Sequence, residues 1–228
     1  MPEANAAKPA RSRDSMSNTL IVAVGVSLIC SILVAGAALL LKPQQEQNAE
    51  RYRQRIILQV AGLYEPGGDI GELWSKIREQ KVKVGSGEEK TVYLVMDGDE
   101  IERVVLPIEG SGLWGMMYGF LAVEGDGRTA YGISFYQHQE TPGLGAGVDN
   151  PSWQAEWRGK QLVDSRGNPQ IQIVKGKAPA DSDYQIDGLA GATLTGRGVQ
   201  SFVHRWLGKE GFGAFLRRLQ RAQRQQEE

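Results

Sequence analysis

Residues 187–193, with the sequence DGLAGAT, end in a threonine whose neighbours are almost all small. Small neighbours leave the hydroxyl of Thr193 open to a bulky group, and glycine lets a backbone approach closely. Residues 197–207 have the apolar spacing of a helix. Thr193 is therefore expected just before a helix start, where free backbone N–H groups and the helix dipole favour a phosphate. A plain glycine-rich turn that leads into a helix is the alternative.

A second candidate segment is residues 139–147, with the sequence QETPGLGAG, which follow a predicted strand. Three glycines in five residues let the backbone run close to a ligand, and Pro142 stiffens the start of the loop. The carboxylate of Glu140 and the hydroxyl of Thr141 could meet the polar edge of a heterocycle. The Gly-Lys-Ser/Thr ending of a phosphate loop is absent from this segment. An ordinary glycine-rich loop is the alternative interpretation.

The third candidate segment is residues 110–121, with the sequence GSGLWGMMYGFL. The side chains of Trp114 and Tyr118 could cover the face of a planar ring. Aromatic residues at the start of a strand more often belong to the core, so this segment alone does not decide between the two roles.

The composition excludes several classes of protein. The chain has 228 residues, with 26 basic and 27 acidic side chains, and so lacks the clustered basic excess of a nucleic-acid-binding surface. Cys30 is the only cysteine, which excludes an internal disulfide and a cysteine-based metal cluster. His138 and His204 are too far apart to suggest a zinc site. We therefore expect no metal centre in this chain.

One segment is long and apolar enough to cross a membrane. Residues 20–41 contain no charge, and a helix of this length spans roughly 33 Å. A cleaved signal peptide is the alternative, but its apolar core is usually about 7–15 residues long. Basic residues flank both ends of the segment, so their number does not decide the orientation. Arg11 and Arg13 lie closer to the N-terminal end of the apolar segment than the arginines at 51–55 lie to its C-terminal end. This difference favours a cytoplasmic N-terminus.

In the rest of the chain, helical patterns come first, strands and turns follow, and helical patterns return at the end, so the elements that carry the candidate segments can be predicted. Helices are expected at residues 44–55, 69–80 with Asp69 as N-cap, 197–207 and 213–225. Strands are expected at residues 92–96 and 101–108, which form a hairpin, at residues 118–123 and 129–137, which form a second one, and at residues 171–176. This pattern predicts the α+β class, with one N-terminal transmembrane helix before a soluble domain built on an antiparallel sheet.

The segment 187–193 resembles the Asp-x-x-Ser/Thr-Gly-Ala-Thr motif, at which a flavin transferase attaches flavin mononucleotide (FMN) to the last threonine through a phosphoester. The resemblance assigns this linkage to Thr193. One residue departs from the motif, because Ala190 fills the Ser/Thr position.

The sequences that start at Gly112 (GLWG) and Glu140 (ETPGLG) look like elements of the flavin-binding domain found in the C subunit of the sodium-pumping NADH:quinone reductase. With the threonine motif they occur in the order of that family, behind one N-terminal membrane helix, so the resemblance covers roughly residues 18–216. Composition and the resemblance together predict five parts: a disordered cytoplasmic N-terminus (1–16), a transmembrane helix (17–42), a helical stalk and lead-in (43–88), an FMN-binding domain (89–216) and a polar tail (217–228).

The resemblance also implies which residues meet the flavin. Thr193 would carry the phosphoester, and Trp114 and Leu144 would pack on the isoalloxazine ring. The remaining contacts would come from Glu140, Thr141, Gly143, Gly145, Ala192 and Leu194. No residue of the chain would act as a catalytic group, because the flavin carries the redox chemistry.

The implied function is electron transfer inside a membrane complex. The FMN would lie on the periplasmic side of a bacterial inner membrane and relay electrons from an iron–sulfur subunit to a flavin subunit, in a path that drives sodium export. A flavin transferase and membrane lipid would be further partners, and nucleic acid would not. Two alternatives stay open: the G subunit of an Rnf-type ferredoxin:NAD complex, and a membrane-anchored binding module without redox activity.

Overall fold

The structure, a computed structural model, describes residues 16–85 and 87–226. The chain divides into two units, residues 1–50 and 51–228. The helices are α1 (Met16–Val60), α2 (Ile70–Trp74), α3 (Pro151–Ala155), α4 (Thr193–Leu207) and α5 (Gly213–Gln226). The strands are β1 (Ile77–Lys83), β2 (Glu89–Asp97), β3 (Glu100–Ser111), β4 (Met116–Glu124), β5 (Ala130–Gln137), β6 (Gln172–Ile173) and β7 (Gln185–Ile186).

The apolar segment forms the first half of α1, and its large side chains are exposed. By length and composition α1 could cross a membrane, as predicted. The helix continues through Pro43 into the polar run that follows, which confirms the expected helix at residues 44–55. The predicted disorder of the N-terminus concerns residues that lie, apart from the first of α1, outside the described part of the chain.

Five antiparallel strands form the central sheet, in the order β1-β2-β3-β4-β5. Both predicted hairpins are therefore confirmed. Side chains alternate between the two faces of a sheet, and each face here carries its own apolar cluster. The larger cluster includes Leu106, Met117 and Leu121, and the smaller one includes Val105 and Phe120.

Helix α4 covers the larger cluster with the predicted apolar face, which contains Val199, Phe202, Val203 and Trp206. The indole N–H of Trp206 donates to the carbonyl oxygen of Glu109 at 2.7 Å. Nearer its start, α4 touches the end of β3, since a Cβ at Gly198 would lie 2.5 Å from the carbonyl oxygen of Ser111. This contact places the first turn of α4 beside the β3–β4 turn.

The smaller cluster is covered by the last turns of α1. Ile56, Ile57 and Val60 pack with Tyr93 and other side chains of the sheet. The guanidinium of Arg103 donates to the carbonyl oxygen of Ala61 at 2.5 Å, just beyond the end of α1. The apolar residues at the end of α1, which follow the polar run, are therefore part of the core of residues 51–228.

The predicted helix at residues 69–80 is too long. Asp69 is the N-cap, as expected, and accepts a hydrogen bond from the N–H of Glu72. The helix ends at Trp74, however, and Ile77 begins β1, which pairs with β2. The backbone groups along the outer edge of β2 need hydrogen-bond partners, and pairing with β2 decides the conformation of residues 77–83.

Two further boundaries differ from the sequence predictions. The strand expected at residues 171–176 is reduced to β6, which pairs in parallel with β7 rather than with the main sheet. Helix α4 begins at Thr193, four residues before the predicted start. Thr193 is therefore the first residue of the helix and not a residue of the preceding turn.

Candidate functional site

One buried carboxylate lies where the three candidate segments meet. Glu140 is 5 % exposed. Its Oε1 accepts hydrogen bonds from the backbone N–H groups of Leu113 (2.8 Å) and Trp114 (3.1 Å), and its Oε2 accepts one from the hydroxyl of Thr195 (2.6 Å). A buried carboxylate is costly unless donors surround it, and here three donors do so. The structure thus brings the β3–β4 turn, the glycine loop and the start of α4 together.

The backbone of the glycine loop packs closely on this carboxylate. A Cβ at Gly145 would lie 2.8 Å from Oγ1 of Thr195 and closer still to the carboxylate of Glu140. Any side chain at this position would push the loop away from α4, which explains why glycine is needed there. The same loop reaches the threonine motif, because a Cβ at Gly191 would lie 2.7 Å from Cδ2 of Leu144.

Two hydroxyls at the start of α4 have opposite environments. Thr193 is exposed, whereas Thr195 is fully buried and bonded to Glu140. The N-cap residue Ala192 is buried and provides no side-chain cap. The first-turn N–H groups of a helix lack intrahelical partners, and with the helix dipole they attract an anion. Thr193 is therefore an accessible hydroxyl at a position that favours a phosphate.

An exposed apolar surface surrounds this helix start. Trp114 is 64 % exposed, and Leu144 and Leu194 are also exposed. Leu113 and Met116 extend the surface, so most of the large exposed apolar side chains in the described part of residues 51–228 lie on these three segments. Concentrated exposed apolar area marks a ligand or partner site more often than scattered single residues do.

A cavity of about 780 Å³ borders Thr193. It lies between the segment 173–177 and the threonine motif, and the basic residues Lys175, Lys177 and Arg197 are among those that line it. A positively charged wall is suited to a phosphate group. A second cavity, of about 620 Å³, lies between the end of α1, β5 and α3, and none of the predicted site residues lines it.

The carboxylate, the backbone N–H and the carbonyl oxygen of Asp187, the acidic residue of the motif, all have hydrogen-bond partners within the protein. Its carboxylate forms an ion pair with Lys177 and accepts the N–H of Ala178 at 2.8 Å. Its own N–H donates to Glu156, and its carbonyl oxygen accepts the indole N–H of Trp153, both at 2.9 Å. The hydrogen bond from Lys177 lowers the pKa of the Asp187 carboxyl below its ordinary value. Asp187 is thus suited to hold the segment in place and is a poor proton acceptor.

The remaining predicted residues take varied positions. Thr141 and Gly143 are exposed on the glycine loop, and the carbonyl oxygen of Thr141 accepts the N–H groups of Leu144 and Ala146, both at 3.1 Å. Tyr118 lies near Tyr136, with ring centroids 6.3 Å apart, and so belongs with the smaller cluster rather than with Trp114.

The residue that departs from the motif, at position 190, lies at the surface. Ala190 is exposed and lines the cavity beside Thr193. The missing hydroxyl therefore leaves no buried group without a partner.

Sequence reasoning missed three basic residues and the role of Thr195. Lys175 and Lys177 lie on either side of Gly176 in a bend, and Arg197 lies one helical turn after Thr193. The spacing of basic residues around a candidate phosphate position was the signal that could have identified them. Nothing in the sequence could have identified Thr195, because its partner Glu140 is 55 residues away.

Comparison with known proteins identifies the family. A sequence model of the FMN-binding domain matches residues 112–208. The C subunit of the Na⁺-translocating NADH-quinone reductase from Vibrio parahaemolyticus is 40 % identical over 91 % of this chain and 96 % of its own length. The corresponding protein from Pseudomonas aeruginosa is also 40 % identical, over 93 % of this chain and 99 % of its own length.

Solved structures agree with these relatives. The crystal structure of Shewanella oneidensis NqrC matches with a TM-score of 0.68 at 30 % identity, over 75 % of this chain and 98 % of that chain. The crystal structure of the same reductase component from Parabacteroides distasonis matches with a TM-score of 0.66 at 26 % identity, over 77 % and 96 % of the two chains.

The comparisons confirm the predicted fold class, a long apolar N-terminal helix followed by a domain with a five-stranded antiparallel sheet. They also decide between the two redox families that the sequence left open. The N-terminal helix and the name of the relatives fit a membrane-anchored protein. With 40 % identity over nearly its whole length, the chain belongs to the NqrC family, the C subunits of the Na⁺-translocating NADH-quinone reductase, and carries that family's FMN-binding domain.

Proposed function

We propose that this chain carries FMN on Thr193 through a phosphoester and relays electrons between other subunits of a Na⁺-translocating NADH-quinone reductase. The observation that carries the proposal is the contrast between two hydroxyls at the start of α4. Thr193 is exposed beside a cavity and an apolar surface, whereas Thr195 is buried and already bonded to Glu140. Only the first can be reached by a flavin and by the enzyme that attaches it.

The attachment is a group transfer from an activated flavin nucleotide, whose phosphate is part of an anhydride. Oγ1 of Thr193 forms a bond to the flavin phosphorus, and the anhydride P–O bond breaks. The other phosphate leaves with the electron pair, and the hydroxyl proton passes to a base on the flavin transferase. Asp187 is not that base, since its carboxylate is bonded to Lys177 and Ala178.

The residues around Thr193 fit a flavin phosphate. The first turn of α4 supplies backbone N–H groups and the positive end of the helix dipole. Lys175 and Arg197 line the adjacent cavity and supply positive charge. A phosphodiester keeps one negative charge, so these groups stabilise the tethered form by attraction.

The apolar surface fits the isoalloxazine ring. Trp114 and Leu144 would pack on its faces, with Leu194 at its border and Ala192 giving space near the tether. The hydroxyl of Thr141 and the backbone N–H groups of Gly143 and Gly145 would meet its polar edge. Bound there, FMN supplies reversible electron transfer, and the chain provides attachment, orientation and the electrostatic environment.

The proposed setting is the periplasmic side of a bacterial inner membrane. A flavin that dissociates there has no cytosolic pool from which to be replaced, which gives the covalent tether a physical reason. Helix α1 would anchor the domain in membrane lipid beside the iron–sulfur and flavin subunits that donate and accept electrons. The charge-free apolar segment provides no path for an ion, so sodium would move through other subunits.

A denaturing gel tests the attachment. The full chain, coexpressed with a flavin transferase, is expected to give a fluorescent band, because a phosphoester survives denaturation. Thr193→Ala is expected to give a dark band, whereas Thr195→Ser, the matched control, keeps Thr193 and should fluoresce. Peptide mass mapping would then locate the flavin. A dark wild-type band, or fluorescence that persists in Thr193→Ala, would contradict the proposal.

A further inference from the structure

The hydrogen bond between Glu140 and Thr195 is buried and joins two distant parts of the chain. We propose that this pair is the positioning element of the site: Thr195 orients the Glu140 carboxylate, which in turn holds Trp114 and the glycine loop against the helix that carries Thr193. The inference rests on the proposed flavin site, but its central contact is a property of the chain without flavin.

Both oxygens of Glu140 are used inside the protein. Oε1 accepts the backbone N–H groups of Leu113 and Trp114, and Oε2 accepts the hydroxyl of Thr195. The carboxylate therefore acts on a flavin through the backbone of the β3–β4 turn and not by contact with the ring edge. Hydrogen bonds to an ionised acceptor are shorter and stronger than neutral ones, which suits a contact that must fix a loop.

Neighbouring groups pack closely on the carboxylate and on the backbone of Glu140. A Cβ at Gly112 would clash with Oε1 of Glu140 and would lie 2.6 Å from the sulfur of Met117. The N–H of Glu140 donates to Nδ1 of His138 at 3.2 Å, and Nε2 of His138 lies 2.8 Å from the carboxylate of Asp149. The backbone and the side chain of Glu140 are thus both held.

The same contact selects between the two threonines. The hydroxyl of Thr195 is fully buried and donates a hydrogen bond to Glu140, so it is not available as a flavin acceptor. Thr193 lies on the exposed side of the same turn. One threonine therefore carries the tether, and the other sets the geometry of the surface that the tethered ring meets.

Amide hydrogen exchange in the full chain, prepared without flavin transferase, tests the positioning role. Thr195→Val keeps the shape of the side chain but removes the hydroxyl, which leaves Oε2 of Glu140 buried without its donor. Exchange at Leu113 and Trp114 is expected to accelerate about tenfold or more. Thr195→Ser restores the hydroxyl and should return both rates close to wild type. The amide of Val105 in β3 serves as the internal control.

A second measurement uses the chain loaded with flavin. Visible circular dichroism and the midpoint potential, compared per attached flavin, should change in Thr195→Val and return in Thr195→Ser. If Thr195→Val does not fold, Glu140→Gln tests the same contact, because an amide oxygen accepts the N–H groups of Leu113 and Trp114 more weakly than a carboxylate. Faster exchange at those two amides is then expected.

Two results would overturn the inference. Wild-type exchange rates in Thr195→Val would show that the hydroxyl does not hold the turn. Equal disturbance in Thr195→Ser, which keeps the hydroxyl, would show that the hydroxyl alone does not fix it. A wild-type chain that takes up no flavin would instead contradict the proposed function, and it would leave the exchange experiment valid.

Discussion

Thr193 and Thr195 are two residues apart, yet their hydroxyls meet different physical environments. The first faces solvent at the positive end of a helix, and the second is enclosed with a carboxylate. The chemistry of a hydroxyl depends on what can reach it, so identical side chains can serve as an attachment point and as a structural donor. The local sequence contains both residues but not the contact that separates their roles.

Leu144 offers a test of ring packing at the level of one side chain. Leu144→Ala should keep the flavin on Thr193 but admit water to the ring, and water stabilises the charged reduced form. We expect the midpoint potential to rise by about 20 mV, which corresponds to about 1 kcal/mol for a two-electron couple. Redox titration of the loaded chain measures this. An unchanged potential would count against contact between Leu144 and the ring.

Asp187 gives a prediction for pH. Lys177 lowers the pKa of the Asp187 carboxyl, so the contacts with Lys177 and Ala178 are complete above the ordinary aspartate pKa of about 3.9. They are lost only as the pH falls through the lowered value. The amide NMR signal of Ala178 should therefore titrate with a midpoint below about 3.9. In Asp187→Asn this titration should disappear, and a midpoint at or above the ordinary value would refute the assignment.

At the scale of elements, the end of α1 is part of the core of the domain. Ile56, Ile57 and Val60 cover the face of the sheet opposite α4, and Arg103 bonds to the carbonyl oxygen of Ala61. The two helices therefore stabilise opposite faces of the same strands. The strand β3 contributes side chains to both clusters and ends at the turn that carries Trp114.

Replacing Ile57 tests this role of α1. Ile57 is 1 % exposed, so Ile57→Ala should lower the free energy of unfolding by about 2–5 kcal/mol through lost burial and a cavity. Gln59→Ala, an exposed position in the same turn, is the matched control and should change it by less than about 0.5 kcal/mol. Denaturant titration measures both. Equal effects would show that the packing of Ile57 on the sheet does not stabilise the domain.

At the scale of the whole molecule, the division near residue 50 predicts where the chain can be shortened. A chain that begins at Arg51 keeps the turn with Ile56–Val60 and removes the exposed apolar helix. One that begins at Gly62 uncovers Tyr93, Val105 and Phe120. Each fully buried aliphatic side chain contributes about 1.5–3 kcal/mol, and the total stability of a domain is about 5–15 kcal/mol.

We therefore expect the chain from Arg51 to be soluble, monomeric and open to flavin attachment, and the chain from Gly62 to unfold or aggregate. Size-exclusion chromatography and thermal unfolding distinguish the two. Equal melting temperatures would mean that α1 contributes nothing to the domain.

The sequence by itself determined the features that depend on local pattern. The apolar run at residues 20–41, the two hairpins and the amphipathic face of α4 follow from periodicity and turn residues, and the structure confirms them. The three motifs could likewise be recognised as short runs. Thr193 was chosen as a candidate in this way, because a hydroxyl among small residues is a local feature of the sequence, although its exposure is not.

Only the tertiary structure decided the features that depend on distant partners. Residues 77–83 form a strand because β2 offers them an unpaired edge, although the apolar spacing of residues 70–77 predicted a helix that continued to residue 80. The roles of Thr195, Glu140 and Asp187 follow from hydrogen bonds to residues far along the chain or on another element. A hydrogen bond needs two groups within about 3 Å, and the sequence gives the groups but not the distance.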